Sequence, residues 1–334
     1  MKTVIGIGNA LTDILVNIPS DSVLTSLGLP RGSMSLVDAP TQLSISEHTA
    51  DLPRALSLGG STGNTIRALA SLGVATGFIG KVGADKTGDF YERALENLGV
   101  KPVILRGMEH SGHCISLISP DGERTMATFL GASVEMSAQE ILDEYFTGYD
   151  YLYIEGYQVQ DHRLIRNVVI QAKKSGLKVA IDLASYNVVR ENLDFLKELV
   201  KDYVDIVFAN EEEAVEFTLQ DDPRKAAEII AGEDKLAIVK IGTKGAYIKY
   251  GGQPAIHVGI MAAADRVDTT GAGDFYAAGF LFGLCNGLSL RQCGTIGSIT
   301  AGKVIEVVGT TFSQEAWNEI TMLIKHVRTE QYLF

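Results

Sequence analysis

The sequence predicts an α/β fold, a doubly wound and mostly parallel sheet with helices on both faces. Two observations predict it. Short apolar runs alternate with longer amphipathic ones along most of the chain, the pattern of strands buried on both faces by intervening helices. Two stretches, 12–38 and 102–130, break that rhythm and alternate apolar with polar residues, as in Cys114-Ile115-Ser116-Leu117-Ile118 and Met126-Ala127-Thr128-Phe129. They predict half-exposed antiparallel strands with a turn at Ser119-Pro120-Asp121-Gly122.

Taken in order, the first strand is expected at 3–8, followed by Gly8-Asn9-Ala10-Leu11-Thr12-Asp13. Further strands are expected at 76–81, 151–155, 178–182, 206–210, 236–241, 246–250 and 255–258, each a brief apolar run. Helices are expected at 62–72, 88–98, 138–145, 162–175, 193–200, 224–231, 273–285, 291–307 and 314–327. The helix at 62–72 carries Ile66, Ala68, Leu69, Ala70 and Leu72; the one at 273–285 is apolar from Phe275 to Leu284 without a proline and reads as buried. Trp317, on the amphipathic last helix, reads as a packing residue. There is no repeat, linker or low-complexity tract, so the chain reads as one catalytic-sized unit, residues 1–334.

Composition removes several functions. A net charge of −12 argues against broad nucleic-acid binding. No apolar stretch is long enough to cross a bilayer. The N-terminus is too short in apolar residues for a secretory signal. The three cysteines, Cys114, Cys285 and Cys293, lack metal-type spacing, and an odd number cannot all pair. The expectation is a cytoplasmic protein. Gly83-Ala84-Asp85-Lys86-Thr87 lacks the glycine before lysine of a P-loop, and Gly6-Ile7-Gly8-Asn9-Ala10-Leu11 departs from the dinucleotide fingerprint at its last position. His110 and His113 lack a third ligand nearby and read as surface or substrate-edge residues.

The chemistry is concentrated in Asp268-Thr269-Thr270-Gly271-Ala272-Gly273-Asp274. Small residues at a helix start leave amides unpaired at the positive end of the dipole, which is an anion site. Asp274 just inside it suits a base that takes a proton from a hydroxyl while the amides of Gly271, Ala272 and Gly273 hold a phosphoryl group. A plain helix cap is the competing account. Gly59-Gly60-Ser61-Thr62-Gly63-Asn64 precedes a second helix. Its glycines permit close backbone approach, and Asn64 offers donor and acceptor to a polyol; a Gly-rich turn explains it equally.

Together the two segments resemble the signatures of the PfkB/ribokinase family of ATP-dependent sugar and nucleoside kinases, and family-like features run from Gly8 to Gly309. The resemblance implies a ribokinase-like fold whose two alternating stretches, 12–38 and 102–130, form a β-sheet lid that excludes water. It implies that Asp13 binds substrate hydroxyls with Gly60 and Asn64, where the residues alone suggest a turn aspartate. It implies that Asn210 and Glu213, in an Asn-x-x-Glu element, organise magnesium through water, although glutamates also crowd ordinary helix starts. It implies that Gly242 and Gly245 face ATP, with a simple β-turn as the alternative. Asp268 and Thr270 match the positions that hold a potassium-type ion. Lids of the family sometimes pair into homodimers.

The implied reaction is transfer of the ATP γ-phosphoryl group to a primary hydroxyl, with Arg124 reaching the phosphates from the lid or forming a surface ion pair. The segment Arg124-Thr125-Met126 to Leu130 is similar to that of adenosine kinases, which places Met126 and Leu130 near a purine, and Tyr157 could stack on a base. All three also suit core or lid packing. The acceptor is expected to be a nucleoside, with a free furanose sugar close behind; a catalytically silent binding relative is the alternative from another class.

Overall fold

The structure is a computed structural model and describes residues 1–263 and 265–329. Fourteen strands occur among the described residues: β1 (Val4–Ile7), β2 (Thr12–Asn17), β3 (Met34–Leu36), β4 (Arg54–Leu58), β5 (Thr76–Gly83), β6 (Lys101–Gly107), β7 (His113–Ile118), β8 (Arg124–Phe129), β9 (Tyr151–Glu155), β10 (Lys178–Asp182), β11 (Ile206–Asn210), β12 (Leu236–Lys240), β13 (Ala246–Tyr250) and β14 (Ile256–Val258). Nine of them form one sheet in the order β14-β13-β12-β11-β10-β9-β1-β5-β6. It is parallel from β6 to β12 and antiparallel across β12-β13-β14. The expected doubly wound architecture is therefore present.

The chain steps one way from β1 to β5 and β6 and the other way through β9 to β12. The strand order thus reverses beside β1, the place where open α/β sheets leave a crevice at the carboxyl ends of their strands. Central strands are buried on both faces, and successive residues feed opposite cores. Tyr153, Phe208 and Ile238 join the core under helices Ser61–Ser71, Ala272–Cys285, Leu290–Val304 and Gln314–Arg328. Leu152, Ile154, Val207 and Val239 join the opposite core with helices His162–Lys174, Leu193–Asp202 and Pro223–Ala231.

A second sheet has the order β3-β8-β7-β2-β4. Its alternation sorts side chains by face: Val16, Ile115, Leu117 and Ala127 make a small core with Leu24 and Ile45, while Asp13, Cys114, Ser116, Met126 and Thr128 line the cavity. The β7–β8 pair is antiparallel as expected, and β2–β4 is antiparallel too, but β2–β7 and β3–β8 are parallel.

The structure corrects several expectations. The segment 102–107 belongs to β6, the parallel edge of the main sheet. As an edge strand it is only half-buried, with Ile104 packed on one core and Val103 and Leu105 on the other, and Pro102 is tolerated because edge positions need no ladder donor. The expected helix 138–145 is two 3-10 turns, Ala138–Glu140 and Asp143–Phe146. Glu140 closes a capping box with Ser137 and accepts from Lys81 Nζ at 2.7 Å, which stops the first turn early. Strand β4 and helices Ala39–His48, Tyr186–Glu191 and Glu211–Thr218 have no counterpart among the expected elements. No helix among the described residues is long and apolar enough to cross a membrane.

Helix Ala272–Cys285 is buried almost all round and meets Leu290–Val304 through glycines. A Cβ on Gly279 would lie 2.7 Å from the Ile296 carbonyl oxygen and 2.9 Å from Gly297 Cα. Backbone cannot retreat as a side-chain end does, so Gly279→Val is expected to cost about 1–3 kcal/mol. Urea unfolding measures this, and an unchanged midpoint would mean the two helices do not approach as described.

Candidate active site

Polar residues terminate the apolar central strands at one end of the sheet: Glu155 on β9, Asp182 on β10, Asn210 on β11 and Lys240 on β12. With the start of helix Ala272–Cys285 and the inner face of the smaller sheet they surround a cavity of about 1450 Å³. Both glycine-rich segments open into it.

Asp274 lies in the first turn of that helix and is part-buried. Its Oδ1 accepts from Ser61 Oγ at 2.6 Å and its Oδ2 from Asn64 Nδ2 at 2.8 Å. Burial pushes its pKa up to about 7; Ser61 and Asn64 oppose that rise, Asp182 adds to it, and Lys240 opposes it. The carboxyl is neither sealed off nor bonded by its own helix. Among the described residues the amides of Gly271 and Gly273 make no hydrogen bond, so they are available to an anion. The Ala272 amide differs from expectation: it donates to the Thr269 carbonyl at 3.2 Å, closing the turn before the helix.

Asn64 was expected to contact an acceptor. One of its two Nδ2 hydrogens goes to Asp274, while its Oδ1 accepts from Arg67 Nη2 at 2.8 Å and Thr310 Oγ1 at 3.3 Å. The amide can present only one orientation in that arrangement, so Asn64 positions Asp274. Arg67 is buried behind it, also bonded to Thr310.

Asp13 faces the cavity from β2, and its carboxylate accepts no hydrogen bond among the described residues. Burial pushes its pKa up to about 6, against the pull of Arg67 and Arg124. The paired glycines are explained here. Asp13's carboxylate lies where a Gly59 side chain would begin, and Gly60, at φ +80°, lies against the Asn9 carbonyl. Glu155 holds these loops together by accepting from the amides of Asn9 at 2.9 Å and Thr62 at 2.8 Å.

Arg124, from β8, pairs with Asp268 and donates to Ser116 Oγ at 3.0 Å. Asp268 also accepts from the amides of Thr270 at 2.9 Å and Gly309 at 2.8 Å. Burial alone would raise its pKa; these bonds and Arg124 outweigh that and hold it below the usual range. A guanidinium also lies beside Thr270 Oγ1, so both side chains of the pair expected at a monovalent cation face Arg124.

Asn210 and Glu213 form a reciprocal capping box. Both Glu213 oxygens accept from Asn210, at 2.8 Å from its amide and 2.7 Å from Nδ2, and Asn210 Oδ1 accepts the Glu213 amide at 2.9 Å. Burial first, then Asp182, pushes the Glu213 pKa up to about 7. These are oxygen donors of the kind magnesium takes, but already hydrogen-bonded, which suits a water-mediated rather than a direct site. Among the described residues no cluster of three His, Cys, Asp or Glu could hold a metal. Gly242 and Gly245 line the same end at φ +57° and +100°. Lys240 Nζ lies 2.8 Å from Asp182 Oδ2.

Met126, Leu130 and Tyr157 line the same cavity with Leu11, Met34 and Met136. His113 is buried against Phe129, ring centroids 5.7 Å apart, and not at a surface or substrate edge, whereas His110 is exposed. Trp317 packs on Phe312 and Phe275.

Ser61, Glu155, Asp182 and Lys240 were given no role in the site by the sequence reading. The signal for the last three is a polar residue closing an apolar run, which in a parallel sheet falls at the crevice. Ser61 gives none, because serine at a helix start is ordinary.

A family model described as pfkB family carbohydrate kinase matches residues 54–317. The adenosine kinase from Sinorhizobium meliloti superposes with a TM-score of 0.84 at 33% identity, covering 96% of this chain and 99% of that one. A probable sugar kinase from Rhizobium etli CFN 42 gives 0.85 at 30% identity, covering 96% and 98%. An uncharacterized sugar kinase from Archaeoglobus fulgidus is 28% identical over 244 residues, 72% of this chain and 95% of its own length.

Ser61 stabilises the charged form of Asp274, so Ser61→Ala is expected to raise the Asp274 pKa further above about 7. Carboxyl carbon-13 titration reads it directly. An unchanged or lower value would show that the hydroxyl does not face the carboxylate.

Proposed function

The chain belongs to the pfkB family of carbohydrate kinases and is an ATP-dependent phosphotransferase with an alcohol acceptor; from that premise we propose that its acceptor is a nucleoside, phosphorylated at the primary hydroxyl of its sugar. One observation carries this reading. The cavity that the unpartnered Asp13 carboxylate faces is also lined by the apolar or aromatic side chains of Met126, Leu130 and Tyr157. Vicinal hydroxyls supply two donors to such a carboxylate, and an aromatic base packs against such side chains. The likeness to the adenosine kinase from Sinorhizobium meliloti supports it. The likeness to the Rhizobium etli sugar kinase keeps a free furanose as the second reading.

In the proposed reaction Asp13 holds the sugar hydroxyls and the smaller sheet closes as a lid over the apolar part. Asp274, oriented by Ser61 and Asn64, takes the proton of the primary hydroxyl. The hydroxyl oxygen bonds to the γ-phosphorus, the bond from phosphorus to the β–γ bridging oxygen breaks, and ADP leaves. The Gly271 and Gly273 amides donate to the oxygens of the transferring group, and Gly242 and Gly245 let backbone approach the nucleotide. Arg124 approaches the phosphates from the lid once it leaves Asp268. Magnesium, held near Asn210 and Glu213 through water, would supply charge neutralisation on the phosphates.

Asp274→Asn is expected to lower kcat by about 10²–10⁴ while ATP binding persists; wild-type turnover would remove the base role. In the wild-type enzyme Asp274 must be deprotonated to act, so activity is lost as pH falls. With its pKa pushed up to about 7 and that of Asp13 to about 6, kcat/KM should fall below about 7 and more steeply below about 6. A flat profile from pH 8 to 5.5 would contradict this. ATP turnover against a panel of nucleosides and free sugars tests the acceptor. A nucleoside is expected to exceed ribose and fructose in kcat/KM by at least about tenfold, the value of roughly 1.4 kcal/mol of added apolar contact; the reverse order would replace the nucleoside with a sugar.

A further inference from the structure

We propose that Lys240 is a further catalytic residue, an ammonium that donates to the γ-phosphoryl oxygens during transfer and rests on Asp182 before the nucleotide binds. This rests on the kinase reading above. Lys240 is the last residue of β12, so its backbone is fixed by the sheet while its side chain reaches the crevice. Its Nζ lies 2.8 Å from Asp182 Oδ2, with both side chains largely buried. A Cβ on Gly273 would sit 3.3 Å from the same nitrogen. The ammonium therefore lies against the bare start of helix Ala272–Cys285, beside an amide with no partner among the described residues. Lys240, Asp182, Gly273 and Asp274 all line one cavity.

Charge supports the placement. Asp182, Glu213 and Asp274 each act on Lys240 and favour its charged form, against the opposing effect of burial. Three carboxylates around one cation leave this end of the crevice short of positive charge until a second source arrives. Arg124 approaches from the other side but is held by Asp268. Lysine has three donor hydrogens on a flexible stem, so one can stay on Asp182 while another turns to a phosphoryl oxygen. No proton moves from Lys240: the acceptor proton goes to Asp274, and the ammonium only opposes charge on the oxygens as the bond to ADP breaks. The competing account is structural, with Lys240 serving only to neutralise buried Asp182.

Three variants separate these accounts: Lys240→Met, Asp182→Asn and the two combined. Lys240→Met is expected to lower kcat by about 10²-fold, the usual loss on removing one donor to a transition-state oxyanion. The acceptor KM and the affinity for ADP alone should change little, whereas affinity for ADP with aluminium fluoride and acceptor should fall in step with kcat. Adding Asp182→Asn removes the uncompensated carboxylate and should restore thermal stability without restoring kcat. The double variant also keeps the comparison open where Lys240→Met alone fails to fold. Recovery of kcat in the double variant, or wild-type kcat in Lys240→Met, would overturn the assignment. Wild-type protein inactive with every acceptor would overturn the kinase reading itself, and this assignment with it.

Discussion

The site depends on a carboxylate held at the positive end of a buried helix without being consumed by that helix. An aspartate in a first turn ordinarily satisfies its own amides as a cap. Here Ser61 and Asn64, from a helix more than two hundred residues earlier in the chain, take both oxygens of Asp274. The amides of Gly271 and Gly273 are left without partners among the described residues. A carboxylate and bare amides thus stand side by side because a second helix supplies the hydrogen bonds that would otherwise have joined them. The remaining architecture keeps these two helix starts facing each other: their packed bodies, the shared core on one face of the sheet, and the Thr65 hydroxyl on the Asp274 carbonyl at 3.2 Å.

Glycine does two kinds of work in this arrangement. Gly59 and Gly60 make room, one for the Asp13 carboxylate and one for the Asn9 carbonyl. Gly279 and Gly283 let helix Ala272–Cys285 lie close to its neighbour, which fixes where the helix begins and so where Asp274 stands. In the first case another part of the site fills the place of the absent side chain; in the second the neighbouring helix does. Buried carboxylates follow a similar logic. Glu155 is almost fully enclosed, yet each oxygen meets an amide from a different loop, so its burial joins β1 to the start of helix Ser61–Ser71.

Much of the fold was legible in the chain. Central strands such as 151–155 and 206–210 are apolar up to their last residue because both faces are covered, and their bounds agree with β9 and β11. Legibility failed where exposure made different elements look alike. β6 is only half-buried because it is an edge, and it was assigned to the smaller sheet. Residues 138–145 carry helix-like spacing, but Lys81 from a strand nearly sixty residues away takes Glu140. In the site, Asp274, Asp13 and the glycines were legible because they form compact strings. Ser61, Glu155, Asp182 and Lys240 were not, since each is an unremarkable residue until a neighbour from another strand or helix is beside it.

By itself the sequence determined the alternation of buried strands and helices, the two glycine-rich helix starts, and the acid within one of them. These are local properties, set by side-chain polarity and backbone freedom within a few residues. Tertiary structure alone decided which partners the charges found. It gave Arg124 to Asp268, brought Asn64 to Asp274, and closed Asn210 on Glu213. Hydrogen bonds and ion pairs are settled by distance in space, and nothing in the order of residues specifies a distance between positions 64 and 274 until the sheet has brought their helices together.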